Sequence, residues 1–288
     1  LLIQHGYVDV TGGVATEGRS EIRADGRFSL GYPRRDGGEE IDARIIARGR
    51  PLRDLRHAFE LDDWPIEGRL SGEFHLSGKY TRPFGFGRLV IDDMTAWSEP
   101  FDTATAGLRF EGVGVRLDAV EIRKSGGAIT GAAYVGWDGR YSFNADGRGI
   151  PLESVKLVKC ERAPLSGQMQ LAASGTATFA HPRYDARISI ADLFIGDEGV
   201  GLLKGDLKVR DNLLVLDQIE AASPRLEISG AGRIEMSATA DAELALRFNR
   251  TSLDPYVRFF EPRLSPFTSA IVSGTIRAVG QLANIDRL

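Results

Sequence analysis

Apolar and polar residues alternate with period two over much of the chain. Leu108, Phe110, Val115 and Leu117 fall on one phase, and Arg109, Glu111, Arg116 and Asp118 fall on the other. Leu207, Val209, Leu214 and Leu216 oppose Asp206, Lys208, Arg210 and Asp217 in the same way. Such alternation predicts strands with one buried and one wet face. The two stretches are copies of one another. Gly87–Val135 and Ala186–Ile234 correspond without a gap at one offset of 99 positions, so that Leu89 and Ile91 return as Ile188 and Ile190. Ile129 returns as Ile228 and Val135 as Ile234. Self-similarity at a fixed period predicts a repeat array. The apolar phase slips by one at Val120 and again at Ile219. A slip turns every later side chain to the other face, so the same slip in both copies predicts a bulge.

A Leu-Ser-Gly strand is expected to open each copy, at Leu70–Leu76 and Leu165–Leu171, with Val272–Ala278 opening a third. These starts lie 95 and 107 positions apart, which predicts connections of varying length. Asp25-Gly26, Gly126-Gly127, Asp138-Gly139 and Asp146-Gly147 are expected as turns. The alternation continues through Tyr141-Ser142-Phe143 and Leu244–Phe248. Each copy then changes period. Leu52, Leu55 and Phe59, the start Leu152 and Val155, and Leu253, Tyr256, Val257 and Phe260 predict one short amphipathic helix per copy. The expected organisation is the tail of one β repeat over 1–65, full repeats over 66–164 and 165–265, and the start of another over 266–288. The predicted fold is all-β: an elongated, curled, U-shaped (taco-like) antiparallel sheet built from repeats of about 100 residues.

Composition narrows the function classes. The 34 Gly against 12 Pro suit many short strands joined by tight turns. The 36 basic and 40 acidic residues are dispersed, and without a basic block no nucleic-acid partner is expected. Cys160 is the single cysteine, so no internal disulfide can form. The chain opens on Leu1, no run nears a membrane span, and repeat signals reach both ends, so an internal segment of a longer protein is expected. His5, His57, His75 and His181 lack metal-ligand spacing, and no nucleophile elbow or phosphate loop occurs. Gly112-Val113-Gly114 precedes a strand rather than a helix and is expected as a turn. Asp118 and Asp217 occupy equivalent places in different copies, roughly 30 Å apart at about 4.8 Å per strand, too far to cooperate. No enzyme, metal or cofactor is expected.

The apolar stripe is then the feature to explain. Sandwiches, barrels and β-helices bury such a stripe as core. Here one short helix per copy is too little to cover six or seven strands, so an open, curled sheet should hold an apolar trough suited to acyl chains. The expected lining is Leu89, Ile91, Leu108, Phe110, Val115, Leu117, Ile129 and Val135, with Ile188, Ile190, Leu207, Val209, Leu214, Leu216, Ile228 and Ile234. The Leu-Ser-Gly strands at Leu70–Gly78 and Leu165–Gly175, the φ-x-φ-Asp-x-φ strands (φ apolar) and the Gly-Gly-x-Ile-x-Gly turn resemble the AsmA-like superfamily. The texture is nearest its translocation and assembly module (TamB-type) members. Pro151–Val155 and Leu253–Val257 are similar to segments of these proteins as well. The resemblance implies a periplasmic sheet with an apolar groove in a diderm bacterium, held to the inner membrane by an anchor absent from this segment. It implies a phospholipid or other acyl-chain ligand carried between inner and outer membranes, a possible outer-membrane β-barrel partner, and no catalytic residues. The alternatives are a non-enzymatic β-helix or β-sandwich surface protein such as an adhesin, and a chaperone-like module for outer-membrane protein assembly.

Overall fold

Period-two alternation becomes antiparallel pairing wherever the computed structural model describes the chain, over residues 1–31, 40–54, 65–159, 164–237, 239–252 and 271–281. The fold is all-β, with seventeen strands. Contacts divide it into two units, Leu1–Phe143 and Asn144–Leu288. In the first, β1 (Leu2–Gln4), β2 (Tyr7–Glu17), β3 (Ser20–Ser29), β4 (Ile41–Pro51), β5 (Ile66–Lys79), β6 (Arg82–Ala96), β7 (Glu99–Glu111), β8 (Gly114–Lys124) and β9 (Gly127–Gly136) form a meander, each strand pairing with the next. The strand β10 (Arg140–Pro151) spans the boundary. In the second unit, β11 (Leu165–Thr178), β12 (Arg183–Ile195), β13 (Glu198–Arg210), β14 (Leu213–Ser223), β15 (Leu226–Glu235), β16 (Asp241–Ser252) and β17 (Ile271–Gln281) repeat the meander. Among the described residues no pairing joins β1 to β9 or β11 to β17, so neither meander closes into a barrel.

The phase slips are bulges. Leu117 faces Ala133 and Val120 faces Gly131, so one extra residue enters β8 there, with Ala119 at φ 48°. In β14, Leu216 faces Gly232 and Ile219 faces Gly230, the same displacement. Ala133 and Gly131 are two apart and share a face, so Leu117 and Val120 share it too. The bulge returns the apolar phase to one side of the sheet.

Three expectations are corrected. Asp25-Gly26 and Asp146-Gly147 are not turns; they lie inside β3 and β10. At Gly26 a Cβ would stand 2.3 Å from the Asp42 carbonyl oxygen and 2.5 Å from the Ala43 Cα, so this glycine admits a close strand rather than a reversal. Second, the counterpart of Leu70 is Met169, not Leu165. Leu70 faces Ile91 and Met169 faces Ile190, which carries the offset of 99 back into the opening strand. Bulged Asp93 and Asp192, at φ 52° and 50°, set this register, and the two Leu-Ser-Gly tripeptides stand at different heights. Third, the segment from Leu152 forms two single 3₁₀ turns, Leu152–Ser154 and Lys156–Val158, in place of an amphipathic helix. Val155 between them is extended (φ −84°, ψ 108°), which interrupts any helical hydrogen-bond ladder. Leu52 opens a helical turn after Pro51, whereas Leu55, Phe59, Leu253, Tyr256, Val257 and Phe260 lie outside the described residues.

The units close one end of their apolar side with different chemistry. In the second unit Leu152 packs with Ile190, Leu193, Val200, Ala221 and Leu226. In the first, the positions matching Glu198 and Ser223 hold Glu99 and Lys124. Their side chains are 8% and 5% exposed, with Nζ 2.6 Å from Oε1. The ammonium also donates to the Pro100 carbonyl at 2.5 Å and lies 5.0 Å from the Phe101 ring centroid. A buried pair of this kind costs desolvation on both partners, and removing one strands the other's charge. Lys124→Met should therefore lower stability by about 3–5 kcal/mol, and adding Glu99→Leu should recover most of that loss. Urea unfolding of the two variants and the parent checks this; equal stability of single and double variants would refute it.

Candidate functional site

Residues directly opposite in an antiparallel pair project to the same face, so the register assigns each side chain to a side. In the first unit one row runs Gly26, Ala43, Leu76, Gly85, Phe110, Val115, Val135. The next runs Ala24, Ile45, Phe74, Gly87, Leu108, Leu117, Ala133. Leu89 lies in a third, between Gly72 and Ala106, and Ile91 and Ile129 in a fourth with Leu70, Ala104 and Ile122. All eight sequence-predicted lining residues of this unit thus share one face.

The second unit repeats the arrangement. One row runs Gly175, Tyr184, Val209, Leu214, Ile234, Ala242, Gly280, and the next Ala173, Ala186, Leu207, Leu216, Gly232, Leu244, Ala278. Ile188 lies between Leu171 and Gly205. Ile190 and Ile228 belong to a row with Met169, Leu203, Ala221, Phe248 and Gly274. Ile190 and Val209 are buried, at 8% and 3% exposure; the other fourteen predicted residues are half-buried.

Two groups on these faces escaped the sequence pattern. Leu70, Phe74, Leu76, Met169 and Leu171 belong to the opening strands β5 and β11, whose register the Leu-Ser-Gly tripeptides do not give, and Tyr184 lies near the start of β12. The second group is small. Gly72, Gly85, Gly87, Ala104 and Ala106 interleave with large residues in the first unit, and Gly205, Gly230 and Gly232 do so in the second. A Cβ at Gly87 would stand 2.7 Å from Cδ1 of Phe74, and one at Gly232 would stand 2.5 Å from Cδ2 of Leu244. Large side chains therefore lie across neighbouring glycines and shield one another. Of the connecting segments among the described residues, only Leu152 joins the apolar cluster of the second unit.

The opposite faces are charged and paired. Arg27 bonds Asp9 at 2.7 Å, Arg44 bonds Glu73 at 2.7 Å, and Arg187 bonds Asp206 at 3.0 Å. Lys208 pairs with Asp217, and Glu243 receives both Arg277 and Arg233. The Arg44 hydrogen bond, then that of His75, lowers the carboxyl pKa of Glu73. Arg277, then Arg233, does the same at Glu243, and the Asp217 hydrogen bond raises the Lys208 pKa. A shallow polar depression in the first unit is lined by Arg19, Arg69, Asp92, Asp93 and Thr103, with Arg69 paired to Asp93. It is charged and open, unlike the apolar face. Among the described residues no group of three His, Cys, Asp or Glu could hold a metal ion, and no helix is long and apolar enough to cross a membrane.

The depressed carboxyl pKa of Glu243 fixes the sign of one pH effect. Its stabilising contribution is complete above the ordinary value of 4.5 and fades as pH falls through the lower folded-state value. Thermal melts should thus fall on acidification below about pH 4.5, and Glu243→Gln should flatten part of that slope. Because the pairs are exposed the effect is small and shrinks further in high salt; an identical pH profile for parent and variant would contradict it.

No protein-family model matches the chain, and no curated protein or solved structure matches it either.

Proposed function

We propose that the chain is a segment of an AsmA-like, TamB-type lipid conduit whose apolar faces carry acyl chains. The observation that carries this reading is the pairing of two facts about those faces. Eight large apolar residues per unit share one side of an unclosed sheet, and the described connecting segments supply little to cover them. Burying a methylene is worth about 0.8 kcal/mol. For a two-tailed lipid with about thirty methylenes this amounts to roughly 20 kcal/mol, so crossing water unaided is prohibitively slow. A face that is apolar at every strand lets tails slide without a specific pocket, while the charged opposite face keeps the sheet wet on its other side.

The repeat supports the same reading. The strands β5 to β10 have 14, 15, 13, 11, 10 and 12 residues, and β11 to β16 have 14, 13, 13, 11, 10 and 12. We read each six as one structural repeat of a curled sheet, in which successive copies extend the apolar surface. On this proposal the protein works in the periplasm of a diderm bacterium, between an inner-membrane anchor outside this segment and the outer membrane. Its ligand is phospholipid, and it performs no catalysis.

Photocrosslinking tests the proposal. A photoreactive amino acid at Phe110 or Val209 should capture phospholipid in cells, and one at Arg109 or Lys208 on the opposite face should not. Equal lipid labelling from both faces, or none from either, would falsify an acyl-chain groove. Leu108→Asp should cut lipid capture from Phe110 at least several-fold, because a charge placed among apolar side chains repels tails and admits water.

A further inference from the structure

The charged face of the first unit breaks its own pattern on β6. Arg82, Phe84, Phe86 and Arg88 lie on that face, opposite Lys79, Ser77, His75 and Glu73. Phe84 is 56% exposed and Phe86 61%. Phe86 stacks on His75 with ring centroids 4.8 Å apart. Phe84 lies against Gly112, where a Cβ would be 2.6 Å from its ring. The next residue, Val113, is 60% exposed, and its carbonyl accepts the amide N–H of Trp137 at 3.0 Å; Trp137 is itself 47% exposed. Phe84 and Phe86 thus adjoin on this face, and Val113 and Trp137 stand exposed at neighbouring hairpin ends of the same unit.

The electrostatics of this edge are one-sided. Lys79, Arg82 and Arg88 are exposed and make no ion pair with a described residue. Three of the nearby acids are already paired, Glu111 with Arg116 at 3.1 Å, Asp138 with Arg140 at 2.6 Å and Glu73 with Arg44 at 2.7 Å, while Asp42 stands opposite Ser77 and the Glu40 carboxylate accepts the Tyr80 N–H. Three cations therefore border the patch on a chain whose net charge is −4. The fold does not require this composition. The second unit has equivalent pairings (Arg183 with Arg210 and Asp185 with Lys208, where the first has Phe84 with Glu111 and Phe86 with Arg109). At the places of Phe84, Phe86, Val113 and Trp137 it carries Arg183, Asp185, Asn212 and Met236.

We infer that this edge of the first unit docks on the interface of a bilayer with anionic headgroups. Trp favours the headgroup level, where its ring is sheltered while polar neighbours stay wet, and Phe rings serve as the inserted apolar side of interfacial anchors. Lys79, Arg82 and Arg88 face the phosphates, each worth about a fivefold gain in partitioning near an anionic surface. Neither element holds well alone; apolar insertion and basic attraction together make a usable anchor. The site is distinct from the apolar face proposed to carry acyl chains, since Phe84 and Phe86 project to the opposite side of β6.

Flotation of the full chain with vesicles tests this. It should bind vesicles of equal parts phosphatidylcholine and phosphatidylglycerol, bind pure phosphatidylcholine weakly, and release as salt rises. Phe86→Asp with Val113→Asn copies residues that the second unit already accommodates, so the fold should persist by circular dichroism while partitioning drops about tenfold or more. Lys79→Gln with Arg82→Gln should lower it by roughly tenfold or more on anionic vesicles alone. Lipid capture from Phe110 by purified protein given micellar lipid should be unchanged in these variants, which separates this proposal from that of the groove. Equal binding to both vesicles, no binding to either, or indifference to all four substitutions would overturn it. So would self-association that these substitutions abolish without any vesicle binding, an outcome that assigns the patch to a second copy.

Discussion

Every feature of the two units follows from cross-strand register. In an antiparallel pair the side chains opposite one another share a face, and a shift of one residue exchanges the faces. Seven strands per row hold apolar residues together only if no strand loses phase, yet β8 and β14 both carry an alternation that slips. The bulges after Leu117 and Leu216 absorb the extra residue and keep Val120 and Ile219 on the apolar side. Without them, the ends of these strands would turn Ile122 and Ala221 toward the charged face. Within each unit a face continuous across its strands is thus built by local irregularity, and the irregularity recurs at the same place because the same face must be preserved.

A second constraint is how an apolar face survives where the described connecting segments cover little of it. The large residues on it are mostly half-buried rather than exposed, and the glycines and alanines between them explain why. Phe74 lies over Gly72 and Gly87, while Leu244 and Leu246 lie over Gly232 and Gly230. Side chains that recline on a neighbouring strand's backbone hide much of their own surface. They also fill the space above the glycines beside them. This is a surface suited to ligands that have length but little shape, and its chemistry is repeated rather than concentrated.

The sequence revealed the faces better than it revealed the ends of strands. Alternation and the 99-residue echo were enough to place the sixteen residues expected to line a groove on one face within each unit, and the shared phase slip was enough to locate both bulges. Leu-Ser-Gly misled because a tripeptide has no register; only pairing with Ile91 and Ile190 shows that Leu70 answers to Met169. Asp25-Gly26 misled because a dipeptide with turn chemistry serves equally where the partner strand leaves no room for a Cβ, which at Gly26 would stand 2.5 Å from the Ala43 Cα. The apolar spacing after Pro151 gave no warning that Val155 would be extended and break the helix into two turns. Local motifs failed wherever a tertiary contact chose between two uses of the same residues, whereas long periodic patterns did not.

Comparison of the two copies also separates what the fold needs from what it permits. Between them the sixteen expected lining positions stay large and apolar, with Leu, Ile, Val and Phe exchanging places, while their row neighbours trade large for small, as Phe74 against Ala173 and Gly85 against Tyr184. The opposite faces and the strand ends change much more: Phe84 against Arg183, Phe86 against Asp185, Val113 against Asn212, and the buried Glu99–Lys124 pair against Glu198 and Ser223. The paired register at these places is the same in both units (Phe84 with Glu111 and Arg183 with Arg210, Phe86 with Arg109 and Asp185 with Lys208), so register does not dictate which residues stand there. Cost then becomes informative. Two exposed Phe rings and an exposed Trp surrender favourable burial, and Lys79 opposite Arg82 adds a like-charge pair to the same edge. The burial penalty falls on one short stretch of the first unit, while the second unit places Arg183, Asp185 and Asn212 where Phe84, Phe86 and Val113 stand and carries a like-charge pair of its own, Arg183 opposite Arg210. An edge disfavoured in water on both counts is relieved only by a surface that is apolar beneath and anionic above, and this combination describes a lipid interface more closely than it describes another folded protein.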